Sequence, residues 1–412
     1  MPNVRPSGCS WLVLLTTLAL SSGACDPAAL AGGRASQASD PSDDTTGGDN
    51  APDEAGDGAA DSPAQAPTTP GAGDTALPSS VVDPADNPTS PAKVTLGRQL
   101  FWDPILSGDR DVACASCHHP SLAYADARRL SIGVGGIGLG RARTATGGAE
   151  TITTRNAMTI LDAAFNGTVT GAACDPTTAP MFWDSRVTSL EEQARGPILS
   201  AGEMRGAAFD AAQIFPEVIA RLEAIPEYVT GFEVSFGPGP ITDTAIVQAI
   251  AAFERTLVDA GSSYDRFVQG DATALSASQR RGMAVFERGG CATCHSGPMF
   301  SDYKLHRLGV PDPPGAARDL GAGGGTFRTP SLRNVTRTAP YMHNGALVDL
   351  DQVFGFYARV DRRLDPDLAR VRAPTPQEAA DVKAFLGALS DGTFDATVPT
   401  SVPSGLTPGG AL

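Results

Sequence analysis

Two five-residue stretches, Cys114-Ala-Ser-Cys117-His118 and Cys291-Ala-Thr-Cys294-His295, constrain this chain more than any other feature. Each brings two thiols and an imidazole onto one helical turn. That spacing lets the thiols add to the two vinyl groups of a porphyrin while the adjacent His turns under the ring to the iron. It is the attachment signature of a c-type haem. Paired cysteines also build zinc ribbons, but a ribbon brings its second pair within about 15–20 residues. Here 177 positions separate the two pairs, and a His follows each one directly. The sequence is therefore read as carrying two covalent haems.

Such attachment takes place outside the bacterial cytoplasm, and the N-terminus agrees. Arg5 precedes an apolar run from Trp11 to Leu20 that is too short for a membrane span and suits a signal peptide over residues 1–24. Ser21-Ser-Gly-Ala24 then leads to Cys25, a lipoprotein-like cleavage box, although Ser22 stands where Leu is usual. The expectation is a periplasmic protein, membrane-anchored through a lipid on Cys25. Residues 25–92 are rich in Asp, Pro, Ala, Gly and Thr, with 12 acidic side chains against the single base Arg34. A segment so poor in apolar surface reads as a disordered tether. Most of the net charge of −15 sits there, so the acidity says little about the folded surface. Nothing favours nucleic-acid binding.

The folded body reads as mainly α: two cytochrome c-like domains, over 93–272 and 273–395, with long Gly/Pro-rich loops and a flexible tail over 396–412. A weak internal repeat marks the domains. Gly97-Arg-Gln-Leu-Phe101 precedes the first Cys pair as Gly282-Met-Ala-Val-Phe286 precedes the second. Partner helices follow. Thr242 to Leu257 places Ile246, Ile250, Phe253 and Leu257 on one face, and Thr375-Pro376-Gln-Glu378 opens a helix carrying Val382, Phe385, Leu386 and Leu389. Ser276-Ala-Ser-Gln279 caps the helix before the second motif. The run from Gly133 to Gly140 lacks the flanking strand and helix of a nucleotide loop and reads as mobile.

These segments, with Leu96 to Pro104, Phe182-Trp-Asp-Ser-Arg186, Ser189 to Ala194, Ala252 to Leu257, Thr329 to Val335 and Thr338 to Gly345, resemble the bacterial di-haem cytochrome c peroxidase and MauG superfamily. The resemblance spans essentially all of residues 93–390. It implies a peroxide-reactive haem on His118 and an electron-transfer haem on His295. It places Gln193, Pro197 and Glu203 on the open side of the first haem, with Glu203 moving a proton between the peroxide oxygens and Gln193 hydrogen-bonding bound peroxide or water. Trp183 matches the tryptophan between the haems. Asn156, with the backbone carbonyls of Thr338 and Pro340, matches a calcium site, and such oxygen ligands suit a hard cation. The stretch from Asn156 to Trp183 is longer than usual, with an insertion around Cys174, which reads as a free or buried thiol.

Two departures refine the resemblance. Typical peroxidases of the family place a second His over the first iron, whereas no His occurs here between His119 and Glu203. His119 is expected to face away from the ring, leaving the first haem open to peroxide as isolated. Where those peroxidases place an axial Met on the second iron, this chain has Tyr357, and a phenolate stabilises higher iron oxidation states. Both features resemble the MauG branch. Gly289, however, stands where that branch carries a substrate-facing tryptophan. The leading reading is a peroxidase that reduces hydrogen peroxide with electrons from reduced cytochrome c or a cupredoxin. The alternatives are a MauG-like oxidase acting on residues of an unknown protein substrate, and an electron-transfer cytochrome or haem sensor.

Overall fold

The structure is a computed structural model describing residues 69–71, 73–146, 152–313 and 317–410. Among them nine α-helices carry the architecture: α1 (Pro91–Trp102), α2 (Leu190–Leu199), α3 (Ile214–Glu223), α4 (Pro226–Phe236), α5 (Asp243–Glu254), α6 (Ser263–Val268), α7 (Ala277–Arg288), α8 (Leu350–Arg359) and α9 (Pro376–Gly387). Strand is confined to two short antiparallel ladders, β1 (Gly136–Ile137) with β2 (Thr144–Ala145) and β3 (Leu305–His306) with β4 (Phe327–Arg328).

Two helix crossings organise the halves. α1 lies on α5, where a Cβ on Gly97 would come 1.9 Å from the Ala249 carbonyl oxygen. α7 lies on α9 in the same way, with Gly282 equally close to the Asp381 carbonyl. A side chain at either glycine would force the helices apart, so the close approach dictates the residue. Four positions on, Phe101 packs edge-on against Phe253 at 5.2 Å and Phe286 packs against Phe385 at 5.5 Å. The faces read from α5 and α9 are buried throughout, each large side chain contributing about 1.5–3 kcal/mol. Thr242 accepts from the Ala245 N–H, and both expected capping boxes form.

Three boundaries differ from expectation. The division between halves falls before α6 rather than at 272/273. Tyr264 and Phe267 of α6 pack with Phe286, Phe300 and Phe385, and the Tyr264 N–H donates to the Ala388 carbonyl. Two apolar side chains on a short helix outweigh its nearness in sequence to the first half. The tail expected to be flexible returns to the first half, burying Phe394 and Val402 beside Phe101, Trp102 and Tyr124. Ser404 donates to the Asp103 carboxylate, and the Gly409 N–H donates to the Trp102 carbonyl. The last part of the expected tether is likewise docked. Leu77 packs with Phe165, Met299 and Tyr303, and the buried Asn87 donates to Glu191 and to the Gln248 carbonyl. A few apolar side chains scattered among Pro and Ser suffice when a folded surface already awaits them.

The Gly133–Gly140 run is not a free loop either. Arg143 is buried and donates to the carbonyls of Ile132, Gly133 and Gly138, while the Gly135 N–H donates to Asp111. The signal peptide, Cys25 and residues 25–68 of the expected tether lie outside the described residues. Among those described, no helix is long and apolar enough to cross a membrane.

Candidate functional site

A cavity of about 930 Å³ runs through both halves. Its wall gathers Cys114, Cys117, His118, Cys291, Cys294 and His295, together with Asn156, Trp183, Gln193, Pro197, Glu203, Thr338, Pro340 and Tyr357. Every site residue read from the sequence therefore faces one space.

Each cysteine pair sits on a single tight turn, Cys114–Ser116 or Cys291–Thr293. The His118 N–H returns to the Cys114 carbonyl and the His295 N–H to that of Cys291, both at 2.9 Å. His118 Nδ1 donates to the Tyr124 carbonyl at 3.0 Å, and His295 Nδ1 to that of Phe300 at 2.9 Å. A carbonyl can only accept, so the proton is on Nδ1 and the Nε2 lone pair is free to bind a metal. Tyr124 and Phe300 adopt left-handed backbone (φ 54° and 51°) at these carbonyls. Burial lowers both imidazole pKa values and favours the neutral, ligating form. It also pushes the thiols of Cys114, Cys117 and Cys291 up. Two thiols and one oriented imidazole per turn, opening on a largely apolar cavity, fit a covalent haem at each position.

α2 brings Gln193 and Pro197 to the first position. Ser189 caps it by accepting from the Glu192 N–H, and Pro197, lacking an N–H, leaves the Gln193 carbonyl without its helical donor. The chain turns after Leu199 and presents Glu203, whose N–H donates to the Ser200 carbonyl. The Gly-rich run backs this turn. A Cβ on Gly133 would lie 2.2 Å from the Gly202 carbonyl oxygen and 2.9 Å from the Glu203 Cα. That role for Gly133 is invisible in the sequence, because the contact joins segments 70 positions apart.

The second half repeats the design. A bridge between Met181 and Val187 precedes α2, and one between Tyr341 and Leu347 precedes α8. Asp349 caps α8 as Ser189 caps α2. Tyr357 is the eighth residue of α8, as Pro197 is of α2. Burial, with Cys291 and Cys294 nearby, pushes its phenol pKa up. The hydroxyls of Tyr124, Tyr228, Tyr303 and Tyr341 all donate to protein oxygens. That of Tyr357 has no hydrogen-bond partner among the described residues, and the side chain lines the cavity.

Between the two positions the halves exchange backbone bonds. The Asn156 N–H donates to the His343 carbonyl and the Arg328 N–H to the Trp183 carbonyl, both at 2.7 Å. The Trp183 indole N–H donates to the Asn156 carbonyl at 2.9 Å. Asn156 spends its amide nitrogen on the Arg128 carbonyl, which leaves Oδ1 available on the same cavity wall as Thr338 and Pro340.

Three cavity residues escaped the sequence reading. Glu254, the last residue of α5, is 4% exposed, and its Oε2 is buried without a partner. Burial raises its carboxyl to about 8. His306 sits between Asp302 and Asp365, each 3.1 Å away. Burial opposes its charge, but the bonds to Asp302 and Cys294 lift the imidazole to about 11. His343 stacks on Phe327 with ring centroids 3.7 Å apart, and burial lowers it to about 4. Glu254 and His343 lie inside stretches that carry the family resemblance but were given no role there, and His306 stands in no recognisable local pattern. His119, as expected, faces away from the cavity: its Nδ1 accepts from the Ser121 N–H and its ring meets Trp102 edge-on. Cys174 is not a free thiol; it is disulfide-bonded.

The paired turns, oriented imidazoles and shared cavity fit the class of two-haem c-type cytochromes. A family model described as di-haem cytochrome c peroxidase matches residues 91–273. Cytochrome-c peroxidase IdrP1 of Pseudomonas sp. is 36% identical over 348 residues, covering 74% of this chain and 83% of the relative. Methylamine utilization protein MauG of Methylorubrum extorquens is 35% identical over 337 residues, covering 78% and 85%. Among solved structures, a MauG-like protein associated with microbial copper homeostasis superposes with a TM-score of 0.62 at 31% identity, covering 76% of this chain and 93% of that one. The diheme peroxidase BthA of Burkholderia thailandensis, at 24% identity and TM-score 0.57, covers 80% and 98% and shares the fold. The chain belongs to the di-haem cytochrome c peroxidase family. It is a haem-dependent oxidoreductase of the peroxidase type.

Proposed function

We propose that the protein is a periplasmic, lipid-anchored peroxidase that reduces hydrogen peroxide at the position on His118, with electrons entering through the position on His295. The observation that carries this reading is the convergence of Gln193, Pro197 and Glu203 on the cavity wall that also holds His118. When bound, the haems supply electron storage and the redox power to split the O–O bond. Overall, one peroxide, two electrons and two protons give two waters, so the chain must place a proton carrier at the first position. Glu203 fills that role, moving a proton from the near to the far peroxide oxygen. Gln193 orients peroxide through its carboxamide, and Pro197 offers no side-chain donor or ligand that would close the site. Trp183, fixed through its indole N–H, lies between the halves as the electron relay. Asn156, Thr338 and Pro340 would hold calcium there, stiffening the contact between domains.

The test is turnover of peroxide by the ferric holoprotein with reduced cytochrome c or a cupredoxin. Consumption without prior half-reduction supports the reading, and a lag removed only by a reductant overturns the open first site. Tyr357 favours a second reading, oxidation of residues on a partner protein in the manner of the MauG branch, because its hydroxyl is left for a ligand. Failure with every soluble donor, together with peroxide-dependent modification of a neighbouring protein, would select it.

A further inference from the structure

Arg328, on β4, is 3% exposed and yet lacks a counter-ion. Its Nε donates to the Phe182 carbonyl at 2.9 Å, and its Nη2 meets only the Met158 sulfur at 3.7 Å. Nη1 has no hydrogen-bond partner among the described residues, and none of their carboxylates lies within 4.0 Å of the guanidinium. The other buried guanidiniums each meet a carboxylate or several carbonyls, although Arg255 Nη1 is also left without a partner. Arg333, five residues on, makes a bidentate pair with Asp265 and donates Nε to the Pro298 carbonyl. Arg255 pairs with Glu191, and Arg143 spends its donors on three carbonyls. A buried cation with its fork unfilled is costly unless an anion completes it.

The open side of Arg328 faces the shared cavity, and Tyr303 closes the opposite side, its ring centroid 5.4 Å from the guanidinium carbon. The planar fork matches a carboxylate, to which it can give two parallel bonds. The position is also unlike its repeat partner. Asn156 makes the same cross-domain backbone bond but presents a carboxamide, suited to a cation. We propose that Arg328 is the receptor for a haem propionate, held between the two haem positions, so that one guanidinium both neutralises the cofactor and bonds to the Phe182–Trp183 loop. The inference rests on the haem loading of the proposed function, but not on peroxide turnover.

Either haem could supply the propionate, because the guanidinium contacts Phe182 and Met158 of the first half while its backbone belongs to the second. The experiment is a spectroelectrochemical titration of the holoprotein with both haems resolved, after covalent haem has been counted. A nearby cation favours the added electron, so Arg328→Gln should lower the reduction potential of the haem whose propionate it holds. The expected change is about tenfold in the reduction equilibrium, equivalent to about 59 mV for one electron. The affected haem names the source. Arg328→Lys should restore most of the potential, and in Arg328→Gln the propionate-linked inflection in the potential–pH curve should move upward. In case Arg328→Gln loads haem poorly, the propionate bending band in resonance Raman spectra should differ between wild type and Arg328→Lys. Unchanged potentials in a two-haem Arg328→Gln protein would overturn the assignment. So would equal shifts for Lys and Gln without movement of the pH inflection, which mark a purely structural role. A wild-type potential that depends on added chloride or phosphate would assign the fork to a free anion and also overturn it.

Discussion

α2 and α8 are one design used twice, and their eighth residues set the chemistry apart. Each helix follows the same bridged turn, carries an oxygen cap and faces a haem position whose His is oriented by a backbone carbonyl. In the first half the eighth residue is Pro197, which offers nothing to a metal. In the second it is Tyr357, which offers a phenol. A similar contrast appears one turn from the helix crossings. The residue after Phe253 is Glu254, an unpaired carboxylate, whereas the residue after Phe385 is Leu386, and both line the cavity. The lesson is that the repeat supplies the frame twice, while single substitutions at matched positions give the two sites different chemistry: Pro197 against Tyr357 and Glu254 against Leu386.

That contrast can be broken in graded ways. The largest effect should come from Glu203→Gln, which removes the proposed proton carrier of the first half alone. Peroxide cleavage should slow by about 10²–10⁴-fold with both haem spectra nearly intact, and stopped-flow rates within threefold of wild type would refute the role. Gly133→Ala should come next, because its methyl would press on the turn that presents Glu203. Misplacing an acid–base group by about 1 Å costs up to ~10²-fold, and this variant should lose rate without losing haem. Tyr357→Met exchanges the phenol proposed as a ligand for a thioether and should raise the potential of the second haem only. A second haem with unchanged potential and spectrum would show that Tyr357 is not a ligand.

The smallest effect concerns stability. The Glu254 carboxyl stands at about 8 in the folded chain, against about 4.3 when unfolded. The folded state therefore holds a proton that the unfolded chain has released. This contribution is complete below about pH 4 and is lost as the pH climbs towards 8. Glu254→Leu, which copies Leu386, should flatten the fall in Tm between pH 5 and pH 8. An unchanged slope would place the carboxylate in contact with an unseen partner.

Much of this was legible from the chain alone. Cys-x-x-Cys-His, the Gly-to-Phe spacing of α1 and α7, the capping boxes and the apolar faces of α5 and α9 are local patterns, and local physics writes them into neighbouring residues. The features that were missed are contacts between distant segments. Nothing near Gly133 announces Glu203, nothing near Leu77 announces Tyr303, and α6 is too short to declare which half owns it. Arg328 was hidden for another reason: an arginine in a polar stretch reads as surface until its burial is seen. His306 and Glu254 are likewise ordinary letters made unusual only by where the fold puts them.

The docked tail also governs how the molecule can assemble. Ser404 completes the Asp103 site 301 positions upstream, and Gly409 lies against Ala113 and Ser116 beside the first cysteine pair. Contacts of such large sequence separation are the kind that slow folding, because the closure entropy must be spent before any contact repays it. The second half lies inside that loop and has its own core, so it can consolidate first, while the wall behind Cys114 still stands open. A shortened chain ending after α9 should therefore keep a sound second core while leaving Trp102 and Tyr124 partly uncovered.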